Sequence, residues 1–186
     1  QITKITRAKK RIAVSLSTGE IISGSHVVVA AGRLPNIQGL NLEAGGVAHD
    51  KRGIMVDRGL RSISNRNVYA AGDVAGGLQF THVAGYHAGL IIRNALFKLP
   101  VKNRTDIIPW VTYTDPELAQ VGFSEAQARK SHGAEVKVLK WTFAETDRAQ
   151  TDGKTKGLIQ IILRKGRIIC ASLVVPSSGE LTAPFV

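Results

Sequence analysis

Cysteine is almost absent: the 186 residues include one, Cys170. A single thiol cannot close an internal disulfide, so a stapled secreted fold is excluded, and so is a paired redox-cysteine motif within this chain. Cys170 lies in the apolar stretch 168–175, where a small buried hydrophobe is the expected role, and a reducing, cytoplasmic setting is expected with it. Aromatic residues are few, at 5%, and form no platform of the kind that stacks nucleic-acid bases. No apolar run approaches the ~20 residues of a bilayer-spanning helix. No Gly-x-Gly-x-x-Gly follows a strand, so the usual cradle for an adenine dinucleotide is missing. Acidic residues are also short, 14 against 25 Lys and Arg, which leaves a formal charge of +11. Such an excess attracts polyanions. Its densest cluster, however, is Arg7, Lys9, Lys10 and Arg11, which reads as a solvated hairpin edge rather than a nucleic-acid groove. An anion or nucleic-acid binder stays as an alternative class, to be revived by a steep salt dependence of binding. No signal peptide opens the chain, and it begins with Gln1 rather than Met, so a piece of a longer protein is expected.

What is present is a globular composition, 44% apolar, with length for one large or two small domains. Residues 2–8 and 11–17 alternate apolar and polar as half-buried strands do, and Thr18-Gly19 turns into a returning strand at 20–23. The nearly continuous apolar run 26–31 predicts a fully buried strand that breaks at Gly32-Arg33-Leu34-Pro35. A single helical turn is expected at 40–44, a short strand at 53–57 and a connector at 60–66. Next comes Asn67-Val68-Tyr69-Ala70-Ala71-Gly72-Asp73-Val74-Ala75-Gly76-Gly77. It predicts a short buried strand, 68–71, that stops at a glycine and a carboxylate. Small residues there let another molecule approach the backbone, and ligands of open α/β sheets bind beyond the carboxyl ends of strands. Gly-Asp is equally an ordinary turn pair. Gln79, Phe80, Thr81 and His82 then lead into a helix over 82–97. Its apolar stripe is Val83, Tyr86, Leu90 and Phe97, interrupted by Asn94, beside a small-residue row Ala84, Ala88, Ile91 and Ala95. Free N–H groups at the start of that helix favour negative charge.

Composition turns polar over 98–106, a candidate boundary. Beyond it, strands are expected at 107–113, 119–123, 135–143, 158–164 and 167–175. Lys165-Gly166 joins the last two as a hairpin. Ser124 and Gln127 have capping-box spacing for a helix to 131, with Gly133 as its stop. Strands with helices on one side make an α+β domain.

The string 68–74, with the helix after it, resembles the second flavin-binding motif of the FAD-dependent pyridine nucleotide–disulfide oxidoreductases, of dihydrolipoamide dehydrogenase or mercuric reductase type. Residues 27–36 resemble the segment joining that family's NAD(P)-binding domain back to its FAD domain, with Ala31 where Thr is usual. Residues 113–122, Arg148-Ala149 and Gly179-Glu180-Leu181 resemble its dimerisation domain. The resemblance implies an α/β plus α+β architecture: 1–31 the tail of the NAD(P)-binding domain, 32–104 part of a Rossmann-like FAD-binding domain, and 105–186 an incomplete dimerisation domain. It implies FAD and NAD(P)H as cofactors of the complete enzyme, a homodimer, and a small-molecule or protein-bound disulfide-type substrate. Asp73, beside Gly72, would accept a hydrogen bond from the ribityl chain. Gln79, Phe80, Thr81 and His82 would lie at the isoalloxazine edge, with capping or packing an equal reading for His82. Gly32 and Arg33 would lie close to a nucleotide. No residue is assigned a catalytic role. The redox cysteine pair and the family's C-terminal His and Glu have no counterpart in these residues, so the chain alone is expected to be inactive; a non-catalytic association module is the alternative.

Overall fold

The computed structural model describes residues 1–8 and 11–186, so Lys9 and Lys10 of the basic cluster lie outside the described residues. The chain divides into two compact units, Gln1–Leu34 and Pro35–Val186. The first is a three-stranded antiparallel meander of β1 (Ile2–Ala8), β2 (Arg11–Leu16) and β3 (Ile21–Gly24). Alternation of apolar and polar residues predicts these strands, and the turn at Gly19 takes a φ of +86° that suits glycine. The buried strand expected at 26–31 does not form. Those residues have no strand partner among the described residues, and Val28 and Val29 are 87% and 77% exposed. A continuous apolar run specifies burial only where a neighbouring strand receives it.

In the second unit, β4 (His49–Asp50) and β5 (Gly53–Ile54) form a small hairpin. The strand expected at 53–57 is thus cut to two residues, extended by a bridge from Val56 to Ser62. The turn at 40–44 is not a helix. The expected strand 68–71 is likewise an isolated bridge, Arg61 to Tyr69, held by Ser62 N–H to the Val68 carbonyl at 2.8 Å and Ala70 N–H to that of Leu60 at 3.0 Å. The supposed connector therefore supplies its pairing partner. Asp57 pinches this region by accepting from Gly59 N–H at 2.8 Å and from Arg66 at 2.8 Å. Leu42, Val47, Ile54 and Ala70 form the local core.

Helix α1 (Thr81–Ala95) follows. Val83 and Leu90 are buried as the stripe predicts, but the helix stops short of Phe97, which is 66% exposed. Asn94 does not weaken the stripe: its amide donates to the carbonyls of Gly59 and Val101, at 3.2 and 3.1 Å, and ties the helix end to two loops.

A five-stranded antiparallel sheet completes the unit, in the order β6 (Trp110–Thr112), β7 (Glu117–Gly122), β10 (Arg167–Val175), β9 (Leu158–Arg164), β8 (Val136–Thr142). All strand pairings among the described residues are antiparallel. Helix α2 (Glu125–His132) opens on the expected capping box, Ser124 accepting from Gln127 N–H at 3.3 Å and Gln127 from Ser124 N–H at 2.9 Å. It places Ala128 over Val136, Ile162 and Cys170. The short helices α3 (Asp147–Thr151) and α4 (Ser178–Leu181) finish the unit, and Val121, Ala171, Leu173 and Val175 pack with Phe143 and Phe185 on the other sheet face.

Cys170 is 1% exposed and its sulfur accepts the Phe123 N–H at 3.1 Å. Burial pushes its thiol pKa up, against the smaller opposing effect of that hydrogen bond. Thiolate is the reactive form, so Cys170 is expected to resist an aromatic disulfide reagent in the native protein and to react fully in concentrated guanidinium. Rapid stoichiometric labelling under native conditions would contradict this packing.

Candidate functional site

The backbone at the end of the 68–70 segment cannot continue as a strand, because Gly72 takes a φ of +69°. A Cβ at Gly72 would stand 2.9 Å from the Cβ of Ala84, so glycine allows the turn to lie directly on α1. Gly72–Ala75 form a single 3-10 turn, closed by Gly76 N–H donating to the Asp73 carbonyl at 3.0 Å. The Asp73 side chain is exposed, with no hydrogen bond or ion pair to the described residues. It is an acceptor that the described residues leave unused. Gly76 and Gly77 also have left-handed φ, +70° and +79°. A Cβ at Gly76 would press on the Arg52 carbonyl oxygen, which keeps the backbone close to the small hairpin.

Gln79 and Phe80 are half-buried and lead into α1. Phe80 occupies the cap position in extended conformation, and its carbonyl accepts Val83 N–H at 3.0 Å and Ala84 N–H at 3.2 Å. No side chain caps the first turn, so the leading amides of Thr81 and His82 lack the intrahelical acceptors that later residues have. The His82 ring stacks on Phe80, centroids 5.3 Å apart and planes at 9°, and its Nε2 pairs with the Pro109 carbonyl at 2.9 Å. Packing is therefore one role of His82. Gly32 and Arg33 belong to the first unit, where both are exposed; Gly32 has a φ of +104°, with open space where a Cβ would stand.

Sequence reasoning missed His87. It lies four residues beyond Val83 and three before Leu90, on the buried stripe, which was the available signal. It is 3% exposed, and its Nδ1 accepts the Gly72 N–H at 3.1 Å. Burial lowers its pKa, opposed by the Asn103 side chain.

The excess charge gathers in part around an open cavity of about 570 Å³ edged by Arg58, Arg61, Arg66, Lys98 and Lys102. Several of these cations have structural work. Arg66 pairs with Asp57 at 2.8 Å, Arg61 lies over the Tyr69 ring at 5.6 Å, and Lys98 stands past the carboxyl end of α1, where cations are favoured. Among the described residues no cluster of three or more His, Cys, Asp or Glu side chains could hold a metal ion.

An unpartnered carboxylate on a glycine-bounded turn, followed by chain that leads to an uncapped helix start, suits a ligand carrying both hydroxyl donors and an electron-rich ring. Residues 1–88 match the family described as pyridine nucleotide-disulphide oxidoreductase, and residues 108–186 match the dimerisation domain of that family. Mercuric reductase from Staphylococcus aureus is 35% identical over 164 residues, covering 87% of this chain and 30% of the relative. Dihydrolipoyl dehydrogenase from Bacillus subtilis (strain 168) is 34% identical over 158 residues, 84% of this chain and 34% of the relative. The chain thus spans about a third of the length of these curated relatives. The crystal structure of LpdA from Mycobacterium tuberculosis superposes with a TM-score of 0.89 at 27% identity, over 99% of this chain and 40% of that one. The HOCl-induced flavoprotein disulfide reductase RclA from Escherichia coli does so at 0.82 and 28% identity, over 100% and 43%.

Proposed function

This chain belongs to the pyridine nucleotide-disulphide oxidoreductase family, and we propose that it is the flavin-orienting and dimerisation part of an enzyme passing electrons from NAD(P)H to a disulfide or similar acceptor. Members of the family use FAD and NAD(P)H. FAD, when bound, supplies the two-electron chemistry between nucleotide and acceptor. In this reading Asp73 accepts a hydrogen bond from a ribityl hydroxyl. Gly72 and Gly76 keep the backbone low enough for the ligand to approach. The N–H groups of Thr81 and His82, with the positive end of α1 behind them, favour negative charge at the ring edge. His82 holds this helix start against Pro109, and Gln79 and Phe80 line the approach. Gly32 and Arg33 are assigned to nucleotide contact. The domain division at 31/32 and 104/105 belongs to the same reading. The observation that carries the proposal is the pairing of an unused, exposed Asp73 carboxylate with a Gly72 that tolerates no side chain.

A homodimer is proposed through residues 105–186, supported by the match to a dimerisation domain and by Leu139 and Trp141, 43% and 53% exposed on edge strand β8. A cytoplasmic setting fits a lone thiol; among the described residues no helix is long and apolar enough to cross a membrane. Cys170 has no second cysteine in this sequence, so a redox dithiol and the pyrophosphate cradle would come from chain outside these 186 residues.

The test is spectroscopic. The full-length protein carrying this chain should purify yellow, with one FAD per subunit, and should bleach when NADH or NADPH is added without oxygen. The 186 residues alone should lose added FAD on a sizing column. A colourless full-length protein that takes up no FAD would overturn the proposal. Stoichiometric, nucleotide-reducible flavin on the isolated chain would overturn the claim that the fragment is inactive.

A further inference from the structure

His87 is buried mid-helix and has no part in the chemistry assigned above. Its Nδ1 accepts from Gly72 N–H. A ring nitrogen that accepts carries no proton, so the proton of the neutral imidazole is on Nε2. The Asn103 carboxamide acts on this ring in the direction that favours its protonated form. Asn103 Oδ1 is a buried acceptor with no partner of ordinary hydrogen-bond geometry, and Nε2–H is the donor available to it. The connector carrying Asn103 is itself fixed: Asn103 N–H donates to the Arg58 carbonyl at 2.6 Å, and Arg104 N–H to the Tyr86 hydroxyl at 3.1 Å. The imidazole therefore stands between the Gly72–Asp73 turn and the connector. Gly72 has no side chain of its own to hold its orientation, so the acceptor behind its amide supplies that restraint.

We propose that His87 is a positioning residue of the flavin site, its neutral ring holding the Gly72 amide, and with it the direction of Asp73, against Asn103 on the connector. This rests on the flavin reading of Asp73 given above. An imidazolium bears N–H on both nitrogens and cannot accept from Gly72, so protonation breaks the link. The titratable and charged groups on the elements packed around His87 are Asp73 on the turn, His82, Tyr86 and Arg93 on α1, Lys98, Lys102 and Arg104 with its partner Asp106, 2.6 Å apart, on the connector, and Arg58 on the loop whose carbonyl accepts the Asn103 N–H. None of them contributes to the shift of His87, which comes from burial opposed by Asn103. Because burial lowers the folded-state value, the link is intact above the ordinary imidazole range of about 6.5. It is lost as pH falls through the lowered value.

The experiment compares wild type, His87→Leu, His87→Asn and Asp73→Asn in the full-length flavoprotein. It reads FAD affinity across pH and hydrogen exchange of the Gly72 amide. Leucine removes the acceptor at similar bulk, whereas asparagine offers Oδ1 near the place of Nδ1. We expect His87→Leu to weaken FAD about tenfold at neutral pH, the size of effect that follows from stranding a buried donor, and to speed exchange at Gly72. His87→Asn should recover most of both. Wild type should lose affinity, as pH falls below the ordinary imidazole range, in a step that His87→Asn lacks. The proposal is overturned if the asparagine variant retains the wild-type acid step, or if folded His87→Leu binds FAD as wild type does while Asp73→Asn does not. Should neither Asp73→Asn nor His87→Leu affect FAD while Gly72 exchange still follows the acceptor, it is the flavin reading that fails and the turn–helix link that stands. If His87→Leu does not fold, the asparagine variant and the wild-type pH profile decide.

Discussion

Asp73→Ala is expected to weaken FAD binding by the full-length flavoprotein roughly tenfold to a hundredfold. The range follows from removing one charge-assisted hydrogen bond, about 1.5–3 kcal/mol, at about 1.4 kcal/mol per decade of affinity. The fold should not suffer, because the carboxylate is exposed and holds no described neighbour; the 3-10 turn is closed by the backbone of Asp73, which alanine retains. Loss of affinity with an unchanged melting curve is therefore the signature of a ligand contact. Unchanged FAD affinity in a folded Asp73→Ala protein would remove this residue from the site.

Gly122→Ala should strongly destabilise the five-stranded sheet. Gly122 ends β7 with a φ of +80° and pairs with Cys170, beside the register shift between Ile168 and Cys170. A Cβ there would run into the Ile169 carbonyl oxygen and stand 3.0 Å from the Cα of Cys170. Both obstacles are backbone, which cannot swing aside as a side-chain tip can. An L-residue in the left-handed region costs about 1–2 kcal/mol, and overpacking adds about 1–3 kcal/mol. The expected loss is about 2–5 kcal/mol, a large part of a typical margin of ~5–15 kcal/mol. Gly133→Ala is the control. Its φ is +55° with nothing near the added Cβ, so only the conformational cost applies. Urea midpoints of the two variants separate the effects; equal midpoints would show that the sheet accommodates Gly122→Ala.

Much of the chain was legible because its signals are local. The capping box at Ser124 and Gln127, the Lys165-Gly166 hairpin and the alternation of β2 each depend on residues within a few positions of one another. The start of α1 was equally readable, since its stripe begins at once. What misled was in each case non-local. The run 26–31 is apolar enough for a buried strand, yet no strand among the described residues pairs with it. Residues 60–62 look like a connector, and they become a pairing partner only because 68–70 fold back onto them. Phe97 keeps the period of α1, but the helix has already ended at Ala95.

The candidate site divides in the same way. By itself the sequence determined that a small-residue segment ends in Gly72 and Asp73, that a helix start follows, and that one thiol cannot serve as a redox pair, because residue type and spacing suffice for each. Only the tertiary structure decided that Gly72 must lack a side chain against Ala84, that His82 is tied to Pro109, and that His87, a polar residue on an apolar stripe, is the acceptor for the Gly72 amide. The physical reason is that burial and hydrogen-bond pairing are set by what lies across the fold: Gly72 and His87 are fifteen residues apart in the chain and 3.1 Å apart in space.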